Sequence, residues 1–395
     1  MTWQVELQQA LEQRQAQYLY RQRRLVTSPQ QPCLVVDGEK RINFCSNDYL
    51  GLATDSGAIE AVKAAIDQTG LGAGASHLVA GHHQAHHDLE LALADFCQRD
   101  KALYFSTGYM ANLGIIQALG GRGTDIFEDR LNHASLIDGA LLSQSRLHRY
   151  RHADVYDLQK RLQKSEAKRK LVVTDGVFSM DGDVAPLADI AGLCAEYNAI
   201  LIVDDAHGFG VIGERGGGCL EAMGLSQEQV PLIIGTFGKA LGTFGAFAAG
   251  SELLINSLIQ FARTYIYTTA LPPILAVATL HNLKRIEREG ELRDSLNQRI
   301  TQFVKGAEQL GLTLWPSQSP IQPIMLGDEQ RALIWSQWLE QQGLWVAAIR
   351  TPTVPKGEAR LRVTLSAAHT SSMVDKLLAG LGECLRRERE CVGEK

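Results

Sequence analysis

Apolar residues return along this chain in two rhythms. From about residue 56, short runs of Val, Ile and Leu alternate with longer stretches whose apolar positions recur every three or four residues. The stretch AIEAVKAAIDQ predicts a helix, followed by a glycine-rich loop, the helix QAHHDLELALADFCQ, the strand KALYFS and the helix YMANLGIIQALG. The clearest strands are KLVVTDG (170–176), AILIVDD (199–205) and PLIIGTF (231–237), each an apolar run that ends in polar residues. Continuous apolar strands separated by helices predict a mainly parallel sheet covered on both faces. Before it, Trp3, Leu7, Leu11 and Tyr18 predict an amphipathic helix over 3–19 that leads through a basic turn, and CLVVDG and RINFCSNDYLGL predict small strands. After residue 285, charged helices alternate with IQPIML, WVAAIR and ARLRVTL. The expected organisation is an N-terminal arm (1–55), a large α/β domain (56–284) and a smaller α+β domain (285–395).

Composition narrows the function classes. The chain has 395 residues, 45 % of them hydrophobic and 21 % charged, and a formal net charge of −5. Its only basic block is RQRR at 21–24, expected to be a solvated helix face, so no nucleic-acid partner is expected. Seven cysteines without a C-x-x-C pair suit neither a disulfide framework nor a zinc cage and point to a cytoplasmic protein. The Gln- and Glu-rich start lacks the pattern of a secretory leader, and no apolar run is long enough to span a membrane, so no membrane partner is expected.

Candidate chemistry gathers where the strands end, the place where ligands bind in open parallel sheets. Lys239 stands alone in PLIIGTFGKALGTFG. It is either a loop lysine whose head reaches water or a buried amine with a lowered pKa, able to form a Schiff base. DDAHG at 204–208 supplies a carboxylate for a pyridinium nitrogen and an imidazole for a phenolic oxygen, or else merely caps a strand end. In KALYFSTGYMAN, a helix start offers N–H groups to a phosphate, with capping by Ser106 or Thr107 as the alternative. His133 is placed to lie against a planar ring or to act as polar lining. Arg360 and Arg362 share one side of a predicted strand, so that one can clamp a carboxylate while the other is solvated. GLGAGASH resembles a dinucleotide loop but follows a helix instead of a strand, which argues against a nicotinamide cofactor. The pairs His82/His86 and His83/His87 have helical metal-ligand spacing, but without an H-E-x-x-H acid or a nearby cysteine no metal site is expected.

The order STGYMAN, NHAS, DGVFSMDGD, DDAHG, TFGKALG and RLRVTLSAAHT resembles the α-oxoamine synthase family of fold-type I pyridoxal-phosphate enzymes over nearly the whole chain. Within that family, SNDYLGL, FSMDGD, IQPIMLGD and AIRTPTVPKGEARLRVTLSAAH resemble the branch that serves biotin synthesis. The resemblance implies condensation of L-alanine with a pimeloyl thioester, on coenzyme A or acyl carrier protein, with loss of CO2. It also implies pyridoxal phosphate as cofactor and a homodimer with sites at the subunit interface. Glycine-using synthases of the same family are the alternative, and His77, standing where they commonly carry arginine, weighs against them. By the same resemblance Lys239 carries the cofactor, Asp204 pairs with its ring nitrogen, His207 meets its phenolic oxygen and His133 stacks on its ring. Ser179 and Thr236 would contact it, Gly108 and Tyr109 would offer N–H groups to its phosphate, and Thr268 would reach that phosphate from the partner chain. Arg21, Asn47, Thr353 and Arg362 correspond to substrate-binding positions.

Overall fold

The computed structural model describes residues 2–17 and 19–393, with side chains as far as Glu390. Among the described residues, thirteen strands form three sheets. Strands β1 (Cys33–Val36) and β2 (Glu39–Asn43) make a hairpin. Seven strands follow: β3 (Lys101–Phe105), β4 (Thr124–Asp129), β5 (Arg146–Tyr150), β6 (Arg169–Asp175), β7 (Ile200–Asp204), β8 (Leu232–Thr236) and β9 (Ala246–Gly250). The last four are β10 (Ile321–Gly327), β11 (Leu344–Trp345), β12 (Ala347–Ile349) and β13 (Ala359–Thr364).

The central sheet has the order β3-β9-β8-β7-β6-β4-β5. Neighbours from β8 to β5 run parallel, and β9 alone is reversed between β8 and β3. This is the mostly parallel, doubly covered sheet that the apolar runs predict. Within each run the side chains part by parity: Val172, Leu201, Val203 and Ile233 pack into the core on one face, and Leu171, Val173, Ile202, Leu232 and Ile234 into the core on the other. Burying each such side chain contributes on the order of 1.5–3 kcal/mol, so a one-residue slip of register would be costly.

Helices cover both faces, and several begin on a side-chain cap. Asp55 accepts from the Ala58 N–H at the start of Ser56–Thr69, Thr107 from Met110 at Gly108–Leu119, and Ser251 from Leu254 at Glu252–Phe261. The helix Pro273–Arg288 carries Pro at its first turn and crosses the expected 284–285 boundary without a break. None of the helices among the described residues is long and apolar enough to cross a membrane.

Three local expectations change. The first helix spans Trp3–Ala16 and buries no residue, with Trp3 66 % exposed, while Tyr18 lies outside the described residues. The basic block is extended, not helical, and Arg24 pairs with Glu340 at 2.7 Å and with Asp37 instead of being simply solvated. WVAAIR does not form one strand: β11 pairs in parallel with β2, and after Val346 the chain enters another sheet as β12, antiparallel to β13. The order β1-β2-β11 thus joins the early hairpin to the last fifth of the chain.

Candidate active site

Strand parity decides which polar groups meet at the carboxyl ends of β6, β7 and β8. Asp175, Asp204 and Thr236 lie two residues beyond Val173, Ile202 and Ile234, so they leave their strands on the same face. The register sets Asp175 beside Asp204. The helix Gly108–Leu119 packs on this face through Ile115 and Ile116. One turn into that helix, Asn112 donates from Nδ2 to Asp204 Oδ2 at 2.6 Å and to Ser135 Oγ at 2.8 Å. The other Asp204 oxygen accepts the Ala206 N–H at 3.1 Å, so the buried carboxylate is held from two sides.

His133 begins the helix Ala134–Leu142; its N–H donates to Asp175 Oδ2 at 2.8 Å and its Nδ1 lies 2.7 Å from Ser135 Oγ. Burial lowers its pKa; Asp204 opposes that shift and Lys239 adds to it. Asp175 is driven well above the usual carboxylate range by burial and by Asp204 beside it.

Lys239 stands on the turn between β8 and β9. Phe237 N–H donates to Gly245 O and Thr243 N–H to Phe237 O, each at 2.9 Å, and Asn282 Nδ2 pins Leu241 O at 2.8 Å. Gly242 has φ +63°, and a Cβ there would come within 2.3 Å of the Ala53 nitrogen, so this turn requires glycine. Lys239 keeps some surface of its own, yet the protein around it lowers its pKa to about 8, burial being the largest cause, with Asp204 and Asp175 pulling upward. The lowered pKa favours the neutral amine, one of the two expected states of Lys239.

His207 is buried, and its pKa is pushed well below the ordinary value by burial, with Lys239 and Arg362 adding to the shift. Its Nδ1 lies 2.6 Å from Tyr49 Oη, which is also 3.2 Å from Asn47 Oδ1. Asn47 Oδ1 in turn is 3.4 Å from Arg362 Nη2. Arg362 is buried; its Nε donates to Ser179 O at 2.8 Å and its Nη1 to Thr364 Oγ1 at 2.7 Å. A continuous polar chain thus runs from His207 through Tyr49, Asn47 and Arg362 to Ser179.

Gly108 opens its helix close to Thr236: a Cβ at Gly108 would lie 3.9 Å from Thr236 Cβ. Thr107 takes the capping role, accepting from Met110 N–H at 3.1 Å, while the N–H groups of Gly108 and Tyr109 stand at the helix start, where no intrahelical acceptor exists. The Tyr109 side chain is exposed, with its hydroxyl donating to Asp138. Thr353 lines a cavity of about 410 Å³ with Asn132, Met180, His152 and Arg360. Asn132 and Met180 are the chain neighbours of His133 and Ser179, which sets this cavity beside the cluster. A cavity of about 860 Å³ around Arg215 and Arg293 is lined by none of the expected site residues.

Arg360 is not the solvated member of its pair: it is 1 % exposed and forms an ion pair with Asp181. Arg21 is exposed and Thr268 half-buried, and neither joins the cluster within its own chain. Tyr49 and Asn112 escaped the sequence reading. Their signals were slight: Tyr49 stands two residues after Asn47, and Asn112 four after Gly108.

These residues fit pyridoxal phosphate. Lys239 offers the amine, Asp204 a fixed carboxylate for the ring nitrogen, and the start of Gly108–Leu119, next to Thr236, N–H groups for the phosphate. Sheet order and site together define a pyridoxal-phosphate-dependent transferase of fold type I.

Residues 39–381 match the model of the aminotransferase class I and II family. An 8-amino-7-oxononanoate synthase of Cellvibrio japonicus is 58 % identical over 95 % of this chain and 94 % of its own, and one of Marinobacter nauticus is 57 % identical over 94 % of each. Among solved structures, Sphingomonas wittichii serine palmitoyltransferase superposes with a TM-score of 0.93 at 32 % identity, covering 98 % of this chain and 99 % of its own. An 8-amino-7-oxononanoate synthase from Francisella tularensis gives 0.77 at 33 % identity, covering 88 % of this chain and 99 % of its own. The chain belongs to the aminotransferase class I and II family and, within it, to the 8-amino-7-oxononanoate synthases, pyridoxal-phosphate-dependent acyltransferases of biotin synthesis.

Proposed function

We propose that the enzyme joins L-alanine to a pimeloyl thioester, on coenzyme A or acyl carrier protein, forming 8-amino-7-oxononanoate and releasing CO2 and the free thiol. The observation that carries this reading is Lys239, its pKa lowered to about 8 beside the fixed carboxylate of Asp204. Pyridoxal phosphate, when bound, supplies an electron-withdrawing ring that stabilises negative charge on the alanine α-carbon. Asp204, aligned by Asn112 and the Ala206 N–H, would pair with the ring nitrogen, and His207, oriented by Tyr49 and with its pKa lowered by burial, would meet the phenolic oxygen. Gly108 and Tyr109 would hold the phosphate with Thr236, and Ser179 would add a contact. Arg362 binds the alanine carboxylate with Asn47 at its side, and Lys239 moves the α-proton. His133, an exposed side chain whose pKa the protein around it lowers, donates toward the thioester carbonyl as the thiol leaves.

The pimeloyl chain occupies the 410 Å³ cavity bordered by Thr353, Met180 and Asn132, a volume in the usual range for ligand pockets. We further propose a cytoplasmic homodimer in which Arg21 and Thr268 serve the site of the other subunit. Leu71 (77 % exposed), Val79 (81 %) and Tyr267 (72 %) on neighbouring segments support a second copy, and the six described cysteines, all unpaired, support a reducing compartment. A product assay with purified protein tests the reaction. Stoichiometric 8-amino-7-oxononanoate and CO2 from alanine are expected, and faster turnover of glycine than of alanine would overturn the choice of substrate.

A further inference from the structure

The histidines between residues 77 and 87 are not arranged as their spacing suggests. Only His86 and His87 lie within the helix Gln84–Phe96; His83 caps it, and His82 is extended. His77, on the π-helical turn His77–Gly81, folds back onto them. Its Nδ1 faces Nδ1 of His82 at 3.1 Å, and the donor nitrogens of His77, His82 and His86 all lie within 4.8 Å of one another. His77 and His86 are buried, and Nε2 of each has no hydrogen-bond partner. The His86 Nδ1 accepts the His83 N–H at 3.2 Å, so in the neutral ring Nε2 carries the hydrogen. The Leu271 and Gly81 carbonyls lie toward His86, but neither meets Nε2 in hydrogen-bond geometry.

The surroundings hold the rings in place. His77 stacks on Tyr265 at 5.1 Å and 11°, and His86 meets the Tyr104 ring edge-on at 5.6 Å. Behind His82, Glu90 Oε2 stands 3.9 Å from Nε2, while Glu90 Oε1 accepts the Tyr104 N–H at 2.9 Å. A carboxylate behind a ligating imidazole is the usual support for a metal-bound histidine.

We propose that His77, His82 and His86 bind one transition-metal dication of the zinc class, with Glu90 orienting His82 from behind. Three imidazoles plus one open position suit such an ion. Metal–nitrogen bonds of about 2.0–2.1 Å put tetrahedral ligands about 3.4 Å apart, so no pair, all now within 4.8 Å, has to close by more than about 1.4 Å. The ion replaces the hydrogen shared by the two Nδ1 atoms, which moves to Nε2 of His82, toward Glu90, and the His86 proton passes from Nε2 to Nδ1, which gives up the His83 N–H bond, so that no proton is released. The bound ion ties the glycine-rich segment and the helix Gln84–Phe96 to Tyr265, three residues before Thr268.

The test uses untagged holoenzyme stripped with EDTA, incubated with zinc and desalted. About one zinc per chain by mass spectrometry, together with a raised melting temperature, is the expected result. Cobalt(II) should give the intense visible absorption of a four-coordinate ion. His82→Ala should lose both the zinc and the thermal shift while keeping the cofactor absorbance; His281→Ala, outside the cluster, should keep both. Zinc below about a tenth of an equivalent in the wild type would overturn the proposal, as would equal retention by His82→Ala. Should His82→Ala fail to fold, a weak six-coordinate cobalt spectrum from the wild type would overturn it as well.

Discussion

The carboxyl ends of β6, β7 and β8 contrast with the segments that carry Arg21 and Thr268. At the strand ends Asp175 and Asp204, with Arg362 of β13 nearby, have partners inside the chain, and Lys239 stands on a turn held by hydrogen bonds at Phe237, Leu241, Thr243 and Gly245. Around Arg21 and Thr268 the neighbours are open surface and exposed apolar side chains. The difference separates two tasks. In the proposed reading, bond-making chemistry would rest on groups that the sheet positions once its register is set, whereas Arg21 and Thr268 would serve from outer segments that a second subunit could complete.

Removing the amine should give the largest effect. Lys239→Ala is expected to lower kcat by about 10⁴-fold or more and to abolish the visible absorbance of bound cofactor; retained turnover would break the assignment. Arg360→Ala is expected to cost about 3–5 kcal/mol in denaturant unfolding, because Asp181 would be left buried and unpaired. A loss below about 1 kcal/mol would mean that water reaches that pair. Asn112→Ala leaves Asp204 short of one charge-assisted hydrogen bond, worth about 1.5–3 kcal/mol, and should reduce kcat roughly 10- to 100-fold with little change in the alanine KM. A change confined to KM would remove Asp204 from the bond-making step.

Two further experiments sharpen the contrast. Thr268→Glu, which places a negative charge toward the proposed phosphate site, should be nearly inactive alone, yet mixing it with Lys239→Ala subunits should restore about a quarter of wild-type activity if each site draws on both chains. Absence of recovery after subunit exchange would return Thr268 to its own chain. The smallest effect concerns pH. The neutral amine of Lys239 takes up the cofactor, so the uptake rate of the apoenzyme should rise with pH and level off above about 8, where the amine has lost its proton. A rise continuing to pH 10 would show an ordinary lysine.

Much of this was legible in the sequence. Apolar runs ending in Asp175, Asp204 and Thr236 announced both the sheet and the edge where its polar groups gather, because β-strand parity and burial are local properties. Contacts across long stretches of chain were not legible. Tyr49 reaches His207 across 158 residues and Asn112 reaches Asp204 across 92, and nothing in either local pattern fixes such a meeting. WVAAIR reads as one strand because its apolar run is continuous, and only the competing pairing of β2 and β13 divides it at Val346. Histidine spacing suggested two helical pairs, but the helix starts too late to hold them and the turn at His77 rearranges the set.

The early hairpin has a consequence for how the protein is made. Phe44 N–H donates to Trp345 O at 2.9 Å, and Phe44 O accepts from Thr364 N–H at 2.8 Å. On a ribosome the first fifty residues emerge long before either partner is synthesised, so Asn47 and Tyr49 wait beside an unfinished sheet while the central strands assemble. The reactive pocket is therefore among the last parts to close, and an interrupted chain ending before residue 345 carries Lys239 and Asp204 but cannot complete their surroundings.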